Sequence, residues 1–262
     1  MKTLSWNINS LRLRLPQLAV LIADQQPDVL CLQETKVQDG DFPTSFFLEH
    51  GYHHLQFAGI KSYNGVAIAS RLPISQPQRH DWCQRLDARH VSVTVDGIRL
   101  HNIYIPAGGD VPDAAINDKF AHKLQFYAEL ADWFAAQPKP LPPTLLVGDL
   151  NVAPLPDDVW NHKQLLTVVC HTPVEVAAYD KLQQASGLVD AVRHLTPPPT
   201  KLFSWWSYRA QDWQASNRGR RIDHAWLSPD LLPRLHSATI LVQQRGSAQP
   251  SDHVPVVVQL AK

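Results

Sequence analysis

Three short stretches join apolar, strand-like runs to acids, amides and a histidine. Leu145-Leu146-Val147 runs into Gly148-Asp149-Leu150-Asn151, which sets an acid and an amide two residues apart. Val29-Leu30-Cys31-Leu32 runs into Gln33-Glu34-Thr35, and Ser251-Asp252-His253 stands just ahead of Pro255-Val256-Val257-Val258. Short apolar runs bounded by polar residues fit the central strands of a sheet. Polar groups at strand ends face the rim where α/β proteins build their sites. Carboxylates, an amide and a histidine on such a rim can hold a hard divalent cation and activate water. Any one of these stretches alone reads equally as a strand-capping turn, because Asp, Asn and Gly are ordinary turn residues. Their recurrence at three places points to chemistry.

The rest of the pattern supplies elements to hold them. A first strand is expected over about Lys2 to Ile8, then a helix with Pro16 in its first turn and Leu15, Leu18, Ala19 and Ile22 on one face, ended by Pro27. Strand-like runs follow at Val29–Leu32, Gly65–Ser70, Val91–Val95 and Ile98–Ile105, with Asp96-Gly97 as a two-residue hairpin between the last two. Ala115 to Ala136 reads as a long helix and Glu175 to Ser186 as a second, with the Leu145 strand between them. Ile222 to Leu227 and a valine-rich terminal strand complete the series. Hairpins mixed with strand–helix alternation predict an α/β sandwich, not a purely parallel doubly wound sheet. No repeat of fixed period is visible, and no linker divides the apolar runs, so residues 1–262 read as one domain.

Composition narrows the class. Apolar residues make up 44% of the 262, enough for a sizeable core, and no run approaches the length of a membrane span. Cys31, Cys83 and Cys170 are an odd number without a CxxC pair, and the chain enters its first strand with no basic and apolar leader. A reduced, cytoplasmic protein without a membrane partner is the expectation. Lysine plus arginine equals aspartate plus glutamate, so a nucleic-acid binder must concentrate its cations locally. Arg209, Arg218, Arg220 and Arg221, interleaved with Trp205, Trp206, Tyr208 and Trp213, form such a concentration; a solvated surface loop is the alternative. His50, His53 and His54 read as surface histidines.

Taken in order, Trp6-Asn7-Ile8-Asn9, Leu32-Gln33-Glu34-Thr35-Lys36, Asn64-Gly65-Val66-Ala67, Gly148-Asp149-Leu150-Asn151, Arg221-Ile222-Asp223 and Ser251-Asp252-His253-Val254-Pro255 carry a resemblance across nearly the whole chain. The sequence resembles the exonuclease III family of DNA-repair nucleases, within the endonuclease/exonuclease/phosphatase superfamily. The resemblance implies a four-layered α/β sandwich: two packed mixed β-sheets flanked by helices, with the site at one end. It implies Mg²⁺ or Mn²⁺ and hydrolysis of DNA phosphodiesters by 3′–5′ exonuclease, abasic-site endonuclease and 3′-phosphatase or phosphodiesterase action. The implied partner is double-stranded DNA with abasic sites, nicks or 3′ ends, acted on by a monomer.

By the same resemblance Glu34 is the principal metal carboxylate, with Asn7, Asp149, Asn151 and Asp252 completing the metal side. Asp149 orients or deprotonates the attacking water and Asn151 positions it. His253 contacts the scissile phosphate with Asp223 behind it, and Tyr104 stands near that phosphate. Trp205 and Ile222 match residues that wall a pocket for a base-free sugar. Two departures bear on substrate preference: Ala107 replaces an amide, and Arg220 stands where Leu or Trp is usual. The stretch Leu165–Pro173 also differs, and His171 within it is a candidate contact biasing the enzyme towards 3′ ends. The rival readings are a phosphatase of the same superfamily acting on small-molecule or lipid phosphates, and a DNA-binding module without catalysis. Retention of every acid, amide and histidine named above weighs against the second.

Overall fold

The computed structural model describes residues 1–210 and 212–261. Two parallel strand pairs set its plan. The first is β1 (Lys2–Asn7) beside β2 (Val29–Gln33), joined by helix α1 (Leu11–Gln25), with Asn7 opposite Gln33. Helix α2 (Thr44–Glu49) leads to β3 (His54–Ile60) and β4 (Tyr63–Ser70), and then β5 (Ile74–Trp82) and β6 (Arg85–Val95) follow. The second pair is β7 (Ile98–Tyr104) beside β8 (Thr144–Asp149), joined by α3 (Asp118–Ala135), with Tyr104 opposite Asp149. Then come α4 (His162–Leu165), α5 (Pro173–Ser186), β9 (Val189–Asp190), α6 (Ala191–Leu195) and α7 (Trp213–Ser216). Strands β10 (Asp223–Leu227), β11 (Leu235–Ile240) and β12 (Val256–Leu260) complete the order.

The strands form two six-stranded mixed sheets, β11-β12-β1-β2-β4-β3 and β5-β6-β7-β8-β10-β9. In each, the third and fourth strands are the parallel pair and every other neighbour is antiparallel. The two sheets therefore share one plan that no sequence repeat discloses.

Alternation along the strands builds the layers. Val29 and Cys31 of β2 join Val66, Ile68, Val91, Val93, Leu145 and Val147 between the sheets. Leu30 and Leu32 face the other way, where Leu18, Leu21 and Ile22 of α1 cover them. On the opposite outer face Phe126, Leu130 and Phe134 of α3 and Tyr179 and Leu182 of α5 cover Ile103, Leu146 and Trp226. The result is the expected four-layered sandwich. Strands buried on both faces read as continuous apolar runs, and this is why β2 and β8 were legible. No helix of the described residues is long and apolar enough to cross a membrane.

Several boundaries differ from the sequence reading. Helix α1 begins at Leu11, because the Ser10 and Leu11 amides donate to the Glu34 and Thr35 carbonyls and draw the turn onto the end of β2. Pro16 then lies inside the helix, where its missing N–H leaves one carbonyl without its usual partner. Helix α3 begins at Asp118 behind an Asn117 cap, and α5 at Pro173 behind a Thr172–Glu175 capping box. Strands β3, β5 and β11 had no sequence signal; β5 is an edge strand of mostly exposed polar residues.

Candidate active site

The two parallel pairs end side by side, and Glu34 just past β2, with Tyr104 and Asp149 at the ends of β7 and β8, lines one cleft of about 610 Å³. Gly148 permits this. Its φ is +143°, and an added Cβ would fall 1.9 Å from the Ile103 carbonyl oxygen, so only glycine lets β8 pass β7 so closely just before Asp149. Glu34 (φ +49°) and Asn151 (φ +55°) then turn the chain sharply through the left-handed region at the strand ends. A non-glycine residue held there is strained, and such strain gathers at functional sites.

The floor is a network of acids around one amide and one imidazole. Asn7 Nδ2 donates to Glu34 Oε1 and to Asp149 Oδ2, each at 2.9 Å. Asp149 Oδ1 accepts from the Asn151 amide at 2.9 Å, and Asn151 Nδ2 donates to the Ile105 carbonyl at 2.9 Å. His253 Nδ1 lies 2.9 Å from Asp223 Oδ2, and its Nε2 lies 3.7 Å from Asp149 Oδ2. Ser204 fixes Asp223 in turn, its Oγ donating to Asp223 Oδ2 at 2.6 Å. Ser251 Oγ donates to the Asn7 carbonyl and Trp6 Nε1 to the His253 carbonyl, which ties the 251–253 loop to β1.

Burial and charge set the protonation states. Burial pushes the Asp149 carboxyl up to about 7, against the His253 charge and with help from the Asp223 charge. Burial alone would lower His253, but the Asp223 and Asp149 carboxylates outweigh it and lift the imidazole to about 10. Glu34 is also buried, yet the Asn7 hydrogen bond and the Lys36 and His253 charges hold it below its usual range. Burial, followed by the Glu34 charge, keeps Tyr104 well above its usual value and therefore neutral. Ligand oxygens of Glu34 and Asp149 and a ring nitrogen of His253 lie within 4.8 Å of one another. A buried acid that resists ionisation beside further acids is the electrostatic setting a divalent cation relieves. The hard oxygens of Glu34 and Asp149 suit one.

The walls are aromatic and cationic. Trp160, Val168, Val169, Cys170, Trp205 and Ile222 line the cleft, as do Arg209, Arg218 and Arg220. Arg218 lies over the Trp160 ring, 4.8 Å from its centroid. Backbone bridges join Trp205 to both Arg220 and His253, so the wall is continuous with the floor.

The family model described as Endonuclease/Exonuclease/phosphatase family matches residues 4–253. The chain belongs to that family. It is 35% identical to exodeoxyribonuclease III of Haemophilus influenzae over 98% of both chains. Among solved structures, a Neisseria 3′ phosphatase, NExo, bound to product DNA hairpin superposes with a TM-score of 0.92 at 31% identity over 100% of both chains. An AP endonuclease from Archaeoglobus fulgidus gives 0.91 at 30% identity over 99% of both.

Within this endonuclease/exonuclease/phosphatase frame, two sequence expectations change. Arg221 was placed with the DNA-facing arginines but is fully buried. Its Nε lies 2.7 Å from Asp158 and its Nη1 2.7 Å from Asp190, with Arg193 also on Asp158. Alternation along the chain explains this: Arg220 and Ile222 face the cleft, so Arg221 faces inward. His171 does not line the cleft either; it is buried, with Nδ1 on the Ala153 carbonyl at 2.6 Å and Nε2 on His162. Its neighbours Val168, Val169 and Cys170 do. Asn7 presents its nitrogen to the acids, and its oxygen accepts from the Asn9 amide, so it stands between the two carboxylates. Asp252 accepts from Asn9 at 2.9 Å and from Trp205 at 3.0 Å, which ties the wall to the floor.

Replacing Arg221 by methionine leaves Asp158 and Asp190 short of their central counter-charge. Loss of one partner from a buried ion network costs about 3–5 kcal/mol. Urea unfolding should show a loss of that order, and a loss under about 1 kcal/mol would mean that Arg193 on Asp158 and His224, 3.6 Å from Asp190, suffice.

Sequence reading missed three other members. Lys36 meets Glu34 Oε2 at 3.0 Å and Asn9 Oδ1 at 2.6 Å. Arg89 lies over the Tyr104 ring, 4.7 Å from its centroid. Lys123, wholly buried against Glu175, donates to the Asn151 carbonyl at 2.7 Å and the Ala107 carbonyl at 3.3 Å. Glu175 also accepts from the Cys170 amide, so one buried ion pair pins three cleft-lining segments. Nothing in the local sequence of α3 marks Lys123, because a lysine on a helix is ordinarily solvated.

A second group of ligand atoms, those of His80, His90 and His101, is closed by its own hydrogen bonds. Trp82 donates to His90 at 3.2 Å, the His90 and His101 rings share a bond of 2.9 Å, and His80 meets Ser92 at 2.8 Å. The His80 and His90 rings stack with centroids 4.1 Å apart. His50, His53 and His54 form no such group among the described residues.

Proposed function

We propose that the protein is a Mg²⁺- or Mn²⁺-dependent DNA-repair nuclease. In this reading it hydrolyses phosphodiesters in double-stranded DNA at 3′ ends, nicks and abasic sites, as a monomer. The observation that carries it is the Asp149–Asn7–Glu34 and His253–Asp223 network on the floor of an arginine- and tryptophan-walled cleft. DNA suits such walls, since guanidinium groups meet phosphates and indole faces meet exposed nucleotides.

The side chains divide the work. Asp149, ionised, takes the proton of the attacking water. Asn151 is fixed through its backbone amide and its Nδ2, which leaves its side-chain oxygen to orient that water. His253 is cationic at neutral pH and held by Asp223, so it faces the charge that develops on the phosphate oxygens. Tyr104, neutral and lining the cleft, can donate its hydroxyl to the phosphate. Glu34 and Asp149 would hold the divalent cation, which when bound polarises the phosphate and offsets its charge.

The test uses three duplexes, with a recessed 3′ end, a 3′-phosphorylated nick and a defined abasic site, beside a soluble phosphomonoester. Turnover of DNA should depend on Mg²⁺ or Mn²⁺ and vanish in excess chelator. Persistence in chelator, or preference for the soluble ester over every duplex, would overturn the reading.

A further inference from the structure

Arg220 is one of the cleft-wall cations, and its surroundings set it apart from Arg209 and Arg218. Its backbone pairs with Trp205 through two hydrogen bonds of 3.0 Å, and its guanidinium lies over the Trp205 ring, 5.0 Å from the centroid. Nη1 donates to the Val169 carbonyl at 3.2 Å and to Cys170 Sγ at 3.1 Å. Arg193 and Arg221 nearby are neutralised by Asp158 and Asp190, but Arg220 has no carboxylate partner among the described residues. Its Nε is buried, and its Nη2 makes no hydrogen bond among the described residues, so Nη2 is the donor left for a ligand. A fixed, uncompensated cation with a spare donor in a ligand cleft is matched to an anion.

We propose that Arg220 makes this cleft selective for DNA ends carrying a terminal 3′-phosphate over internal abasic sites. This rests on the nuclease reading above and specifies its substrate. Both reactions share one displacement. The oxygen of water bonds to phosphorus, the P–O3′ bond breaks with its electron pair left on O3′, one water proton passes to Asp149, and O3′ takes a proton from bulk water to end as a hydroxyl. The substrates differ in what the phosphate carries towards the wall. In the internal diester one phosphate oxygen bears the base-free sugar, which sets a neutral ring and hydroxyl against Arg220. In the terminal monoester that oxygen is free, and near neutral pH the group carries about −1.5 to −2 charges, by analogy with other phosphate monoesters. A guanidinium braced by Trp205, Val169 and Cys170 binds the charged oxygen more strongly than a neutral hydroxyl, because charge-assisted hydrogen bonds are the stronger kind. Seating the sugar there instead covers the cation without matching its charge.

Arg220→Gln keeps donors for the Val169 and Cys170 contacts while removing the charge, and Arg220→Leu removes both. On the 3′-phosphorylated nick each variant should lose about tenfold more kcat/KM than on the abasic duplex, the scale of one charged hydrogen bond, so that the ratio of the two activities falls by that factor. Inorganic phosphate, tested as an inhibitor of recessed-end trimming, should bind Arg220→Gln more weakly by a similar factor. Equal losses on nick and abasic duplex, or unchanged phosphate inhibition in Arg220→Gln, would overturn the proposal and reduce Arg220 to a brace for the wall. A parent inactive on all three duplexes would instead overturn the nuclease reading itself, so the two failures are distinct.

Discussion

Asp149→Asn should abolish nearly all turnover while leaving a protein at least as stable as the parent. The exchange keeps the shape and an oxygen for the Asn151 amide, gives up the bond from Asn7 Nδ2, and removes the base with its buried charge; a positioned general base is worth about 10²–10⁴-fold. The stability half follows from linkage. A carboxyl whose pKa rises on folding opposes folding once pH exceeds its unfolded value, and the penalty is complete above the folded value. For Asp149 that window runs from 3.8 to about 7. Metal-free Asp149→Asn should therefore melt at or above the parent at alkaline pH and lose the advantage in acid. The parent's activity should fall as pH drops through neutrality, and the acid limb should shift lower as the divalent cation is raised, since a bound cation favours the ionised acid. Turnover of the variant within tenfold of the parent would place the base elsewhere. A clear fall in alkaline melting temperature would make Asp149 a structural anion.

What the sequence discloses about this site depends on where each residue lies along its element. Asp149, Glu34 and His253 follow or precede uninterrupted apolar strands, so their types stand out against the run. The ordered motifs made the four-layered sandwich legible. Arg221 misled because charge in a loop reads as solvent-facing, and only strand alternation between Arg220 and Ile222 shows that it turns inward onto Asp158 and Asp190. His171 misled for a related reason: a stretch without periodicity gives no inward or outward direction. Lys123 and Glu175 were invisible because their roles depend on α3 and α5 packing side by side behind the cleft, a tertiary relation with no local signature. Edge strands β5 and β11 escaped because they bury too little for a hydrophobic pattern.

Glu34→Ala should lower turnover on the order of a thousandfold, because the cation's share of transition-state stabilisation is several kcal/mol. Glu34 is suited to carry that charge. It lies partly open to the cleft, and Asn7, Lys36 and His253 hold it ionised despite its burial. Asp149 alone is the weaker holder, since burial raises its carboxyl to about 7 and part of the cation's binding goes into ionising it. The loss should come with a raised Mg²⁺ requirement, so that excess cation recovers part of it. Glu34→Gln separates charge from packing. It retains an acceptor for the 2.9 Å bond from Asn7 but not the negative charge that Lys36 faces at 3.0 Å. If the carboxylate acts by holding the cation, both variants should lose similar activity, and calorimetry without DNA should show weakened Mg²⁺ or Mn²⁺ binding in each. If Glu34→Gln instead works nearly as well as the parent with unchanged cation half-saturation, Glu34 merely spaces Asn7 from Lys36, and the cation must be held by Asp149 and substrate phosphate alone.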